Sequence, residues 1–246
     1  FVDGSMRINK AALTATGNST SVTYNGANQT VSGFTVSGLQ GSDTVASLSS
    51  VVASGATGKN AGSYTNTVTA GTETNYTVST VNGGLTIAKA NATVTANSGT
   101  LTYNGGNQTV SGFTASGLVG GETASVLSGV SASRTEKNAG TYATTASGTD
   151  GNYNLSFVDG SMRINKAALT ATGNSTSVTY NGANQTVSGF TVSGLQGSDT
   201  VASLSSVVAS GATGKNAGSY TNTVTAGTET NYTVSTVNGG LTIAKA

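Results

Sequence analysis

The groups able to do chemistry in this sequence are carboxylates and hydroxyls. The acids are Asp43, Glu73, Glu122, Glu136, Asp150 and Asp159, with Asp3, Asp199 and Glu229 as copies. None falls in the D-x-D-x-D spacing that wraps a calcium ion. General acid–base work needs two groups converging on one reacting bond, and no local spacing supplies such a pair. Glu136 stands beside Lys137 and two residues from Arg134, which reads as a charge cluster. Serine and threonine are abundant, but the chain has no histidine, so Ser-His acyl transfer is closed to it. With no cysteine there are no disulfides and no thiolate metal sites. The expectation is no catalytic, cofactor-binding or metal-ligating residue, no cofactor and no enzymatic activity.

Three recurring side chains each allow two readings. Lys10, Lys89, Lys166 and Lys245 recur at the same place in a repeat. Each is either a solvated charge that discourages edge-to-edge strand pairing or one half of a Lys–Asn cross-link. Tyr24, Tyr64 and Tyr76, with their equivalents, are either core residues on an alternating apolar face or a stripe for stacking sugars. Asn18, Asn28, Asn75, Asn91, Asn107 and Asn154 begin Asn-x-Ser/Thr triplets, which arise by chance in a Thr/Asn-rich chain or mark glycan acceptors.

Composition narrows the class. Ten Lys+Arg against nine Asp+Glu give a net charge of +1, too balanced and too scattered for a nucleic-acid surface. No apolar run approaches the roughly 18 residues of a membrane-crossing helix, so no membrane insertion of this segment is expected. No signal peptide opens at Phe1, and secretion would place one upstream. Recurrent Val, Thr, Tyr and Phe with little net charge exclude disorder and suit strands joined by Gly/Asn turns.

What positions these residues is a repeat. Residues 1–90 and 157–246 are identical, so FVDGSMRINK occurs at both Phe1–Lys10 and Phe157–Lys166. A weaker repeat lies inside that period. Thr23–Leu39 matches Thr102–Leu118, Lys59–Tyr64 matches Lys137–Tyr142, and Asn75–Lys89 matches Asn152–Lys166. Two module types follow: residues 1–10 are the end of a type B module, 11–89 type A, 90–166 type B and 167–246 type A. The alternation itself is expected to limit strand exchange between neighbours during folding.

Within a module, alternation at Val22/Tyr24, Tyr76/Val78, Leu85/Ile87 and Tyr153/Leu155/Phe157 predicts half-buried strands. Val81 and Val158 break the alternation and predict a bulge or a twist there. The V-N-G-G stretch (Val81–Gly84) predicts a hairpin of Asn75–Thr80 with Gly84–Lys89. Tyr24–Gly26 predicts a turn. Ser42–Ser54 reads as strand, with a short helix as the alternative. Six to eight strands per module are expected. Leu85–Asn97 lacks linker composition, so adjacent modules should meet at a stiff joint. Phe1–Lys10 is expected to pair with the edge of the first type A module or with a neighbouring molecule in a crystal.

The Y-N-G turn, the K-N-A-G-[ST]-Y step and the N-Y-x-x-[ST]-x-V-[ND]-G-x-[LM]-x-I-x-K-A ending resemble mostly-β-grasp (MBG/YDG-type) tandem repeats. Such repeats occur in large bacterial surface exoproteins and adhesins, including filamentous haemagglutinin-like proteins. The resemblance implies an all-β, or nearly all-β, fold of tandem β-grasp-like modules set end to end as an elongated rod. It implies a secreted, cell-surface location and a stalk that projects a distal binding domain. The alternative is repeats that themselves bind a glycan or host protein weakly, with avidity. The expected partners are neighbouring repeats of the same chain, and a host or biofilm glycan or protein reached through the parent protein.

Overall fold

The computed structural model describes residues 3–246. Among them the regular structure is strand, apart from single 3-10 turns at Val45–Ser47, Ala124–Val126 and Val201–Ser203. The all-β expectation holds. The first type A module comprises β1 (Ala11–Gly17), β2 (Thr20–Thr23), β3 (Gln29–Val31), β4 (Phe34–Ser37), β5 (Val51–Ala53), β6 (Ala56–Gly58), β7 (Gly62–Asn66), β8 (Val68–Ala70), β9 (Tyr76–Val81) and β10 (Gly83–Ala88). The type B module comprises β11 (Ala90–Ala96), β12 (Gly99–Thr102), β13 (Gln108–Ser111), β14 (Phe113–Ser116), β15 (Val130–Glu136), β16 (Gly140–Gly148), β17 (Tyr153–Val158) and β18 (Gly160–Asn165). The second type A module opens with β19 (Ala167–Gly173) and repeats the first. The chain packs as two compact units. One holds the residues up to Val94 with Thr114–Ser131 and Ser147–Phe157; the other holds Thr95–Phe113, Ala132–Ala146 and Val158–Ala246.

In the first unit, β1 lies between antiparallel β4 and parallel β9, with Leu13 opposite Val78. Its alternate residues Leu13 and Ala15 pack with Leu48, Val51, Val68 and Tyr76. A second sheet sets β10 between parallel β2 and antiparallel β7, and buries Leu85 and Ile87. Each such aliphatic side chain contributes about 2 kcal/mol on burial.

The expected terminal hairpin does not form. β9 and β10 belong to different sheets, and the chain crosses between them at Asn82. A primed turn needs positive φ, which neither Asn82, Gly83 nor Gly84 adopts. Gly83 is instead required for close approach: a Cβ there would sit 2.2 Å from the Asn18 carbonyl oxygen. Asn82 turns its Oδ1 inward to accept the Val68 N–H at 2.9 Å. Of the two readings for Val81, the bulge does not form: the β1–β9 register runs unbroken to Thr16↔Val81, and the valine is exposed at the strand end. Ser42–Ser54 divides between the 3-10 turn at Val45–Ser47 and β5.

Type A has ten strands, more than expected, and type B has eight. The difference goes with a change of length and of one side chain: Val51–Gly58 and Tyr64–Tyr76 each run one residue longer than Val130–Glu136 and Tyr142–Tyr153, and Asn66 stands where type B has threonine. Asn66, fully buried, accepts the Gly55 N–H at 2.9 Å and donates to the carbonyls of Asn18 (3.1 Å) and Gly33 (2.9 Å). It thereby satisfies the N–H left open where β5 gives way to β6 and ties it to the breaks between β1 and β2 and between β3 and β4. In type B the corresponding residue is Thr144, and the matching segments run on as β15 and β16. The Thr144 hydroxyl is buried with no hydrogen-bond partner.

In the second unit, β18 lies between parallel β12 and antiparallel β16. Met162 and Ile164 are 0% and 2% exposed there, whereas Met6 and Ile8, in the other copy of the same peptide, are 85% and 82% exposed. Asp3–Lys10 forms no strand, contrary to the expected edge pairing, and Phe1 and Val2 lie outside the described residues. β18 is flanked by β12 and β16, and no strand flanks Asp3–Lys10 in that way among the described residues.

Candidate functional site: the module junctions

Single residues join the modules. Lys89 separates β10 from β11, and Lys166 separates β18 from β19. With so short a connection the ends of consecutive modules are pressed together, and the recurring tyrosines, acids and asparagines meet there.

At the first junction, Tyr24 closes β2 and is held by its N–H on the Ala88 carbonyl (2.8 Å). Its hydroxyl donates to Glu122 Oε1 of the next module at 2.5 Å. The other carboxylate oxygen of Glu122 accepts the Tyr153 hydroxyl at 2.5 Å. Tyr153 in turn accepts the Val119 N–H (3.0 Å), which fixes the loop carrying the acid. The two rings meet edge to face, 5.4 Å between centroids at 82°. Type B to type A repeats the clasp. Tyr103 and Tyr232 both donate to Asp199 Oδ2, at 2.8 and 2.6 Å, with the same 5.4 Å, 82° ring geometry. Gly105 belongs to this turn because its φ is +80° and a Cβ would approach the Gln196 carbonyl oxygen to 2.7 Å.

Two further ties flank each clasp. Asn152 accepts the Ala61 N–H at 2.9 Å and donates to Asn60 Oδ1 at 3.2 Å, joining the K-N-A-G loop of one module to the next. Asn231 does the same with Ala139 and Asn138. The module-end lysines cross the joint as well: Lys10, Lys89 and Lys166 donate to the backbone carbonyls of Glu73 (2.6 Å), Asp150 (2.7 Å) and Glu229 (2.5 Å). These three lysines therefore act as tethers across the joint while remaining exposed, as Lys245 is. Around the second junction, Tyr103, Met162 and Ile164 share one apolar cluster with Leu169, Val207, Val224 and Tyr232.

The electrostatics follow from this geometry. The phenols of Tyr153 and Tyr24 hold the Glu122 carboxyl below its usual range, and Lys59 of the preceding module adds to the effect. Tyr232 and Tyr103 do likewise for Asp199. The phenols are raised in return: Tyr24 to about 12, chiefly by its bond to Glu122, and Tyr232 to about 12, chiefly by burial. Deep in each type A module, Ser50 donates twice to Glu73 and holds that carboxyl down, although the residue is buried. Glu136 pairs with Arg134 at the surface, and the guanidinium lies 5.6 Å above the Tyr142 ring.

The remaining sequence candidates disperse. Tyr24 and Tyr76 are buried and present no stacking face, while Tyr64 bonds its own loop at Asn60. Asn18 bonds Ser32, and Asn91 pairs with Asn154. No cluster of three or more metal-ligating side chains occurs among the described residues. Sequence reasoning weighed Glu122 and Asp199 only as isolated acids. A usable signal was present: an acid recurs at the same offset from Y-N-G in both module types, as Asp43 and Glu122, each followed by a threonine.

The molecule is thus a tandem of all-β modules fastened to one another by buried polar clasps. It matches the MBG domain (YGX type) family over residues 13–86, 92–163 and 169–242, and the chain belongs to that family. The type is YGX rather than the expected YDG. No curated protein matches the chain in sequence. Among solved structures it is similar to the I9-I11 tandem from titin, at 11% identity and TM-score 0.27, covering 97% of this chain and 98% of that one. It is also similar to the N-terminal eight Ig domains of Down Syndrome Cell Adhesion Molecule, at 10% identity and TM-score 0.20, covering 96% of this chain and 40% of that one.

Proposed function

We propose that these modules are the stalk or spacer repeats of a secreted bacterial surface adhesin, and that they set the distance of a distal binding domain from the cell. The observation that carries this reading is the repetition of the same three ties at both junctions, Tyr–carboxylate–Tyr, Asn–Asn and lysine–carbonyl. Side chains that an enzyme or receptor would present to a ligand are here spent on holding the next module. A flexible tether would need Gly/Ser-rich connections, and each connection is one lysine. The test is a set of surface-displayed arrays with one, two or three A–B pairs between an anchor and a tag. The spacer reading predicts that the reach of the tag grows by an equal step per pair and that the array itself retains no glycan or host protein. Reach independent of pair number, or specific glycan retention by the 246-residue chain, would contradict it.

A further inference from the structure

The Asn-x-Ser/Thr triplets fall at different places in the two module types, with one exception. Asn18 and Asn75, copied as Asn174 and Asn231, occur only in type A, and Asn91 and Asn154 only in type B. The N-Q-T triplet occurs in every module, at Asn28, Asn107 and Asn184. The fold engages the others. Asn18 is half-buried and donates to the Ser32 carbonyl at 2.8 Å, and Asn174 does the same with Ser188. Asn231 is taken up at the second junction, where it accepts the Ala139 N–H and donates to Asn138. Asn154 donates to Asn91 at 3.4 Å across β11 and β17.

Asn28, Asn107 and Asn184 have no such duty. All three are exposed, and among the described residues no hydrogen bond holds their side chains. The turn that carries them is fixed without them. Asn25 accepts the Ala27 N–H at 2.9 Å and Gln29 donates to the Thr23 carbonyl at 3.1 Å, and both bonds recur in the other two modules. No non-glycine residue among those described has a positive φ, so the backbone does not call for asparagine either. Asn28 stands one residue before β3, where alternate side chains share a face. Gln29 and Val31 are half-buried, while Asn28 and Thr30 are both exposed; Asn107 with Thr109 and Asn184 with Thr186 repeat the arrangement. The amide and the hydroxyl of the triplet thus face solvent together. Thr109 shares a 2.7 Å hydrogen bond with Thr135, which leaves its oxygen a further lone pair.

We propose that Asn28, Asn107 and Asn184 are attachment sites for an N-linked sugar, added to the folded chain once per module. The transfer forms a bond from the asparagine Nδ2 to the anomeric carbon of a sugar carried on a diphosphate, which is nucleotide-linked or lipid-linked. The bond from that carbon to the diphosphate oxygen breaks, and the diphosphate leaves with the electron pair. One amide proton passes to a carboxylate of the transferring enzyme. A sugar so attached is bulky and solubilising. The chain is only 8% charged residues with a net charge of +1, a balance that favours association between copies. One sugar per module supplies solvation at a fixed interval along the repeats. This goes beyond the spacer reading and does not rest on it.

The test uses the folded 246-residue chain, with Asn75→Gln setting aside the copy of Asn231. One arm supplies a soluble asparagine glycosyltransferase with UDP-glucose. The other supplies an oligosaccharyltransferase with a lipid-diphosphate oligosaccharide. Site-resolved mass spectrometry should find sugar at Asn28, Asn107 and Asn184, with occupancy at least tenfold above that at Asn18, Asn91, Asn154, Asn174 or Asn231. Peptides from a digest of the same chain should lose this preference, because the fold makes the selection. Thr30→Val lies at an exposed position; it should abolish transfer to Asn28 alone and leave the other two sites and the melting temperature unchanged. Transfer in either arm bears out the proposal and names a competent donor. No transfer to the three sites in either arm, comparable occupancy at the engaged asparagines, or an unchanged preference in the digest would each overturn it.

Discussion

Type A and type B modules differ in their interiors and agree at their ends. Inside, buried Asn66 serves a broken pair of strands, while Thr144 lies under unbroken ones with its hydroxyl unpaired. At the ends, Tyr24 and Tyr103, Tyr76 and Tyr153, and Asn60 and Asn138 are the same residue types in both. Each interior has only to satisfy itself and has more than one solution. Each end must fit both as donor and as receiver, so its chemistry is shared. One change at the joint, Glu122 for Asp199, alters how the two phenols are received. Glutamate offers one oxygen to each, whereas aspartate takes both on Oδ2.

The sharpest way to break the comparison is Asn66→Ala. It strands the Gly55 N–H and removes a donor from the half-buried carbonyls of Asn18 and Gly33. The expected cost is about 2–4 kcal/mol, localised to the first type A module and read by hydrogen exchange within it. Glu122→Gln removes a charge-assisted acceptor from two phenols and should weaken coupling across the first junction by about 2 kcal/mol, measured as the loss of mutual stabilisation between adjacent modules in denaturant unfolding. Tyr24→Phe should cost about 1 kcal/mol by the same measure, and Tyr103→Phe less, because Asp199 keeps Tyr232 on the same oxygen. Smallest is Thr144→Val, which deletes the unpaired hydroxyl at constant shape and should stabilise the type B module by up to about 1 kcal/mol. Equal destabilisation by Asn66→Ala and Thr144→Val would erase the distinction between the interiors.

The junctions also carry a pH dependence with two limbs. Glu122 and Asp199 have lowered folded values, so their contribution is full above the ordinary carboxylate range and is lost as pH falls through those lowered values. Tyr24 and Tyr232 are raised to about 12, so their contribution is full below the ordinary tyrosine value of 10.0 and is lost as pH rises from there through about 12. Thermal unfolding across that alkaline window should show Tyr24→Phe flattening the limb that belongs to the first junction.

Much of the fold was legible in the sequence. Leu85 and Ile87 alternate with threonine and alanine and are buried, and the repeat marks out modules of one family. The hairpin was misread because Asn-Gly signals both a tight turn and a close backbone approach, and only the surrounding sheets show which is needed at Gly83. The clasps were not legible because their partners are distant in sequence: Tyr24 and Glu122 are 98 positions apart, and Tyr153 and Glu122 are 31 apart. Local periodicity places Tyr24 on the buried face of a strand, but the carboxylate it reaches belongs to the next module.

The central claim is that consecutive modules are fixed to one another rather than loosely strung. The absence of native cysteine lets two spin labels be placed without background, at Val52→Cys and Ser125→Cys, exposed positions on either side of the first junction. Double electron–electron resonance should return one narrow distance distribution that broadens in Glu122→Gln. A distribution already broad in the otherwise unaltered chain would contradict the account.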